Sequence, residues 1–143
     1  MRARTILMLL PVLTGLWAGC VSDSDKLPPP TSTSDLVLNP NEREVLATMR
    51  VGGALRVILP PPAEPGYEWE IVANNPGRVL QQITGLRAVP DAPGELAVTF
   101  QATRPRRSRL LFVAVKPGVA DATAAEQFLI TIGINAATEP PGP

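Results

Sequence analysis

Few residues in this chain are equipped for chemistry. The 143 residues contain no His and a single Cys, Cys20. Without His, the commonest general base and the commonest zinc ligand are missing. One Cys can form neither an intrachain disulfide nor a thiolate metal cluster. Carboxylates are present, but no close pair stands in an obvious catalytic setting, and the spaced pair Glu42 and Glu44 suits a solvated turn. No catalytic residue, metal site or cofactor is expected, and the chain reads as a non-enzyme. What remains is one thiol open to acylation and a set of stiff, Pro- and Gly-rich loops able to present a surface.

The thiol has a specific context. The chain opens "MRARTILMLLPVLTGLWAGC", with Arg2 and Arg4 ahead of a mostly apolar run from Ile6 to Trp17. That run has signal-peptide length and is too short to span a bilayer comfortably. Ala18 and Gly19 then precede Cys20, which resembles a bacterial lipoprotein signal and its lipobox, although Trp17 stands where Leu is usual. Residues 1–19 are expected to be a signal peptide and Cys20 the lipidated new N-terminus. The alternative is an ordinary secretory signal with a spare Cys nearby. Several acyl chains would anchor the protein at about 0.8 kcal/mol per buried methylene. The expected location is the cell envelope, after secretion across the inner membrane. Val21 and Ser22 follow Cys20, without the Asp familiar as an inner-membrane retention signal, which favours the outer membrane.

Residues 20–34 are polar and Ser/Thr-rich with a triple proline, and are expected to be a disordered or extended tether. One domain is expected over residues 35–135, and residues 136–143 form a loose tail. Net charge is zero, and loss of the leader leaves about two negative charges. That balance argues against nucleic acid as a partner.

The elements that must position the loops are strands. In the mature chain every Pro falls between short runs rich in Val, Ile, Leu and Phe, as expected if Pro is kept out of central strands. Strands are expected near 45–51, 55–59, 67–72, 79–83, 96–102, 110–115 and 128–134. A further edge strand over 36–38 would be turned by Asn39-Pro40-Asn41. Leu55, Val57 and Leu59 alternate, as do Tyr67, Trp69 and Ile71, and Phe128, Ile130, Ile132 and Ile134. Such alternation marks one buried face. "LLFVAV", 110–115, suits a central strand covered on both sides. The Ala-rich stretch 120–128 is short and lacks an apolar stripe, which favours a loop over a helix.

The fold class that follows is all-β: an immunoglobulin-like antiparallel β-sandwich of about seven strands. If successive strands run antiparallel, every second loop falls at the same end. Loops 60–66, 90–94 and 116–126 then share one pole, and "TRPRRSR", 103–109, lies at the other. The basic stretch suits a solvated hairpin turn, with contact to anionic lipid headgroups as the sharper alternative.

Within "LPPPAEPGYEWEI", residues 59–71, Gly66-Tyr67-x-Trp69 resembles the chagasin family, immunoglobulin-like inhibitors of papain-type cysteine proteases. The family's central loop, Asn-Pro-Thr-Thr-Gly, aligns with Pro62, Ala63, Glu64, Pro65 and Gly66, of which the Gly is kept. Its Arg-Pro-Trp loop aligns with Lys116, Pro117 and Gly118, with Glu126 and Phe128 following at the family's spacing. Its Gly-rich loop aligns with Pro90–Gly94, where Gly94 is the partial match. Residues 45–60 look like the family's opening hairpin.

The resemblance spans roughly residues 35–134 and implies a monomeric inhibitor whose partner is a papain-type cysteine protease. Pro62, Ala63, Glu64, Pro65, Gly66, Gly94, Lys116, Pro117 and Gly118 would enter the protease cleft, while Tyr67 and Trp69 anchor the loop in the core. The alternative is a non-inhibitory immunoglobulin-like lipoprotein that binds another protein through the same pole.

Overall fold

A computed structural model describes residues 26–74, 78–119 and 123–137. The leader, Cys20 with the first part of the tether, and tail positions 138–143 lie outside the described residues.

Among the described residues there are nine strands and no helix: β1 (Thr33–Val37), β2 (Glu44–Arg50), β3 (Ala54–Leu59), β4 (Glu68–Asn74), β5 (Leu80–Gln82), β6 (Arg87–Ala88), β7 (Leu96–Ala102), β8 (Arg107–Val115) and β9 (Glu126–Asn135). They form two sheets. One runs β1-β3-β7-β5, with β6 also on β7; the other runs β2-β9-β8-β4. The core lies between them. Leu55, Val57 and Leu59 of β3, with Val98 and Phe100 of β7, meet Trp69, Leu110, Phe112, Phe128, Ile130 and Ile132 from the other sheet. Phe100 and Phe112 cross between the sheets edge to face, with centroids 6.4 Å apart. Each such side chain, once fully buried, contributes about 1.5–3 kcal/mol. All the buried apolar side chains of this cluster fall between Leu38 and Ile134, so a chain beginning at Cys20 keeps every strand and the whole core.

The all-β sandwich stands as expected, and several details differ. The sheets are not wholly antiparallel. β1 lies parallel to β3, and β2 parallel to β9. Residues 45–60 are accordingly no hairpin: β2 and β3 sit in opposite sheets, one on each side of the core. Alternation tells which side chains point inward, but an arch between sheets and a hairpin within one sheet produce the same pattern. The arch turns at Val51-Gly52-Gly53, where Gly52 has φ +85°. β8 is central, yet Leu111, Val113 and Val115 on its outer face are only half-buried, so "LLFVAV" is not covered on both sides. β6 is too short for periodicity to reveal. β9 begins at Glu126, and Thr123–Ala125 ahead of it are not helical.

Residues 28–34 were expected to belong to the tether; here they lie along the sheet. Gln101, only 3% exposed, donates from Nε2 to the Pro28 carbonyl at 3.0 Å. Thr31 N donates to Gly52 O at 3.0 Å, and Ala54 N to Ser32 O at 2.7 Å. The prolines end where the ladder begins at Thr33. Polar residues there are compatible with an edge strand, whose outer side stays wet.

Ser108 is buried on the inner face of β8, and its hydroxyl has no hydrogen-bond partner. Ser108→Ala removes that unsatisfied group and is expected to leave stability unchanged or raise it by about 1 kcal/mol. Urea unfolding measures this; a loss of stability would mean that the hydroxyl is hydrogen-bonded after all.

Candidate functional site

Strand register brings the three loops together. Leu59 pairs with Leu96, Glu68 with Val115, and Ala114 with Glu126. The end of β3, both ends of the β6–β7 turn, the start of β4 and the β8–β9 connection therefore share one pole.

The first loop, Pro60 to Tyr67, is held at its base by Trp69. The indole is 4% exposed and donates from Nε1 to the Pro60 carbonyl at 2.7 Å. Its ring packs on Phe128 with centroids 5.3 Å apart. Tyr67 is half-buried and packs against the core just ahead of β4. Of the two expected anchors, Trp69 is the one fully buried and hydrogen-bonded to the loop, while Tyr67 stays partly exposed. At the tip, Tyr67 N reaches Glu64 O at 3.4 Å. Gly66 has φ +84° with open space around it. Pro65 followed by a left-handed Gly66 is the sequence that a type II turn requires.

A second clamp was not among the expected site residues. Glu126 Oε1 accepts from Ala63 N at 2.6 Å. Its Oε2 accepts from Arg43 Nη1 at 3.2 Å, and the Arg43 guanidinium lies over the Phe128 ring at 5.2 Å. Ala63, Glu126, Arg43, Phe128, Trp69 and Pro60 thus form one chain of contacts joining both ends of the proline run to the core. The Glu126 and Phe128 spacing was a visible signal in the sequence. Arg43 gave none, because it reaches the site only through the parallel pairing of β2 with β9.

The second loop rests on the first. A Cβ placed on Gly94 would lie 3.0 Å from Pro61 Cβ, and Gly94 has φ +85°. Gly94→Ala is expected to cost about 1–3 kcal/mol, because strain and contact act together. Thermal unfolding reads this directly; wild-type stability would show that the two loops do not bear on each other. The third loop turns at Pro117-Gly118, with Val119 N to Lys116 O at 3.4 Å and Gly118 at φ +77°. Lys116, Pro117 and Gly118 are exposed, as are Ala63, Glu64, Pro65, Gly66 and Gly94, while Pro62 is half-buried. All nine residues thus stand at one pole. Carboxylates rim it at Glu64, Glu68, Asp91 and Glu95.

Chemically, this surface offers backbone and side-chain contacts and no reactive group. Among the described residues no acidic, Cys or His cluster could hold a metal ion. A pole of short, braced turns can enter a cleft with little loss of entropy.

No protein-family model and no curated protein matches the sequence. Solved structures do. The chain is similar to the cysteine protease inhibitor EhICP2 from Entamoeba histolytica, with 13% identity and a TM-score of 0.58, over 74% of this chain and 99% of that one. It also matches PbICP-C, solved in complex with falcipain-2, at 14% identity and TM-score 0.49, over 71% of this chain and 98% of the other. Amebosin matches at 18% identity and TM-score 0.48, over 74% and 99%. The match to EhICP2 identifies the fold as the all-β, chagasin-like inhibitor fold that the sequence suggested.

Proposed function

We propose that the chain is an inhibitor of papain-type cysteine proteases, lipid-anchored through Cys20 at the cell envelope, in the outer membrane where the cell has one. It is a binder and not an enzyme. The observation that carries this is the braced pole: three loops, each turned by a left-handed Gly, joined to one another and to the core at one end of a fold shared with EhICP2. The proline run enters the cleft, and its fixed φ angles keep the entropy cost of binding low.

The test uses the chain from Cys20 with Cys20→Ser, titrated against a panel of papain-type proteases. Inhibition at about 1 µM or tighter is expected against at least one. Silence across the panel at about 100 µM would sink the proposal. The exposed carboxylate of Glu64 at the tip and the bare Gly118 would then favour the second reading, in which the same pole binds another envelope or extracellular protein. For the anchor, Cys20→Ser in the full-length chain should move the protein from membranes washed in high salt, which screens electrostatic binding, to the soluble fraction; membrane binding that survives the high-salt wash would refute lipidation at this residue.

A further inference from the structure

The zero net charge conceals a segregation of charge along the sandwich. Arg50, Arg78, Arg104, Arg106, Arg107 and Arg109 all lie at the pole opposite the loops and are all exposed. Register places them there. Arg50 pairs with Asn135, Arg107 with Gly133, and Arg109 with Thr131. The Arg78 carbonyl accepts from the Thr103 hydroxyl, and the Arg106 carbonyl accepts from Ile134 N at 3.2 Å. No described carboxylate lies among them. Asp35 is paired with Arg56 at 2.7 Å on the first sheet. The other eight described carboxylates belong to the loop-side half, where Arg43, Arg87 and Lys116 are the only described cations.

We propose that the arginine pole is a docking face for an anionic bilayer surface, holding the domain upright with its three loops pointing away from the lipid. Three observations support it. The first is the charge itself: guanidinium groups bind phosphate through paired hydrogen bonds, and each cation near an anionic surface strengthens binding several-fold.

The second is where the chain enters. Pro28 and Thr31 are fixed to Gln101 and Gly52, at the same end as Arg50 and the 103–106 turn. From Cys20 to Pro28 the chain can span at most about 28 Å, so an anchor at Cys20 would hold this pole, and not the loops, next to the lipid. This part rests on the lipidation reading; the charge argument does not. The third is the shape of the field. A planar surface meets one pole only, whereas a long flexible polyanion would also meet the acidic half. Among the described residues, the arginine pole also has none of the exposed aromatics on which single-stranded bases stack.

The experiment uses the chain from Cys20 with Cys20→Ser and sedimented vesicles at low salt. It should bind vesicles with about 30% phosphatidylglycerol in phosphatidylcholine at least tenfold better than pure phosphatidylcholine. The triple variant Arg104→Gln, Arg106→Gln, Arg107→Gln should bind roughly 100-fold more weakly while inhibiting proteases as the parent does. Trp69 is the sole Trp once the chain begins at Cys20 and reports from the loop pole, so brominated acyl chains should leave its fluorescence unquenched. Equal binding to neutral vesicles, parental binding by the triple variant, or quenching of Trp69 would each overturn the proposal. So would tighter capture by duplex DNA than by the anionic vesicles, which would assign the pole to a soluble polyanion. Failure of protease inhibition leaves the vesicle, fluorescence and DNA readouts intact, so the two proposals fail separately.

Discussion

Trp69→Ala is expected to lower the stability of the domain by about 3–5 kcal/mol, the usual cost of truncating a large buried aromatic. Against a total of about 5–15 kcal/mol for a domain of this kind, the variant would be only marginally folded. Three losses combine. The indole leaves a cavity beside Phe128, the Pro60 carbonyl loses its 2.7 Å donor, and the strand loses its link to the first loop. Trp69→Phe separates them. It keeps an aromatic ring against Phe128 but cannot donate, so it should cost only about 1–3 kcal/mol. Urea unfolding followed by far-ultraviolet circular dichroism measures both variants, since neither retains a Trp in the chain from Cys20. The Phe variant should fold and yet inhibit more weakly, because the base of the proline run is untied. A Phe variant with parental stability and inhibition would show that the indole hydrogen bond does not hold the loop.

How far the sequence reached depends on the kind of information involved. Alternation located the inward faces of β3, β4 and β9 correctly, because burial acts residue by residue and leaves a local trace. Proline positions bounded the loops for the same reason. Pairing leaves no such trace. Nothing in "VLATMRVGGALRVIL" states whether the Gly turn folds a strand onto its neighbour or carries it across the core, and the second outcome made β2 the parallel partner of β9. That pairing places Arg43 beside Glu126, so half of the clamp was invisible for the same reason as the topology. The charge segregation is a further case. The basic run at Arg104–Arg109 was legible locally. Arg50 and Arg78 joined it only once the register was known, and the absence of nearby carboxylates is a fact about three dimensions. The anchor Gly66-Tyr67-x-Trp69 was legible because one segment contains both the loop and the side chain that fixes it.

Glu126→Ala is expected to weaken inhibition by about 10- to 100-fold while costing the domain only about 1–2 kcal/mol, and the imbalance follows from where the freedom in the loop resides. Pro60, Pro61, Pro62 and Pro65 fix their own φ angles. Glu64 precedes Pro65 and is confined to extended conformations. Ala63 is the residue that the prolines leave free, and Glu126 Oε1 holds its amide at 2.6 Å. The carboxylate thus completes the rigidity that the proline run begins.

Without it, ordering Ala63 and, in part, its already restricted neighbour on binding costs about 1.5–3 kcal/mol in total, which is about one to two decades of affinity. Stability suffers less, because exposed Ala63 can turn its amide to water and the Arg43 partner is half-exposed, which discounts the ion pair. Glu126→Gln discriminates between charge and geometry. Its side-chain carbonyl can still accept from Ala63 while the ion pair to Arg43 is lost, so inhibition should stay within a few-fold of the parent. Amide exchange at Ala63 supplies a readout independent of any protease: fast in the Ala variant, slow in the Gln variant and the parent. Slow exchange and parental inhibition in Glu126→Ala would mean that the prolines alone set the loop and that the clamp is incidental.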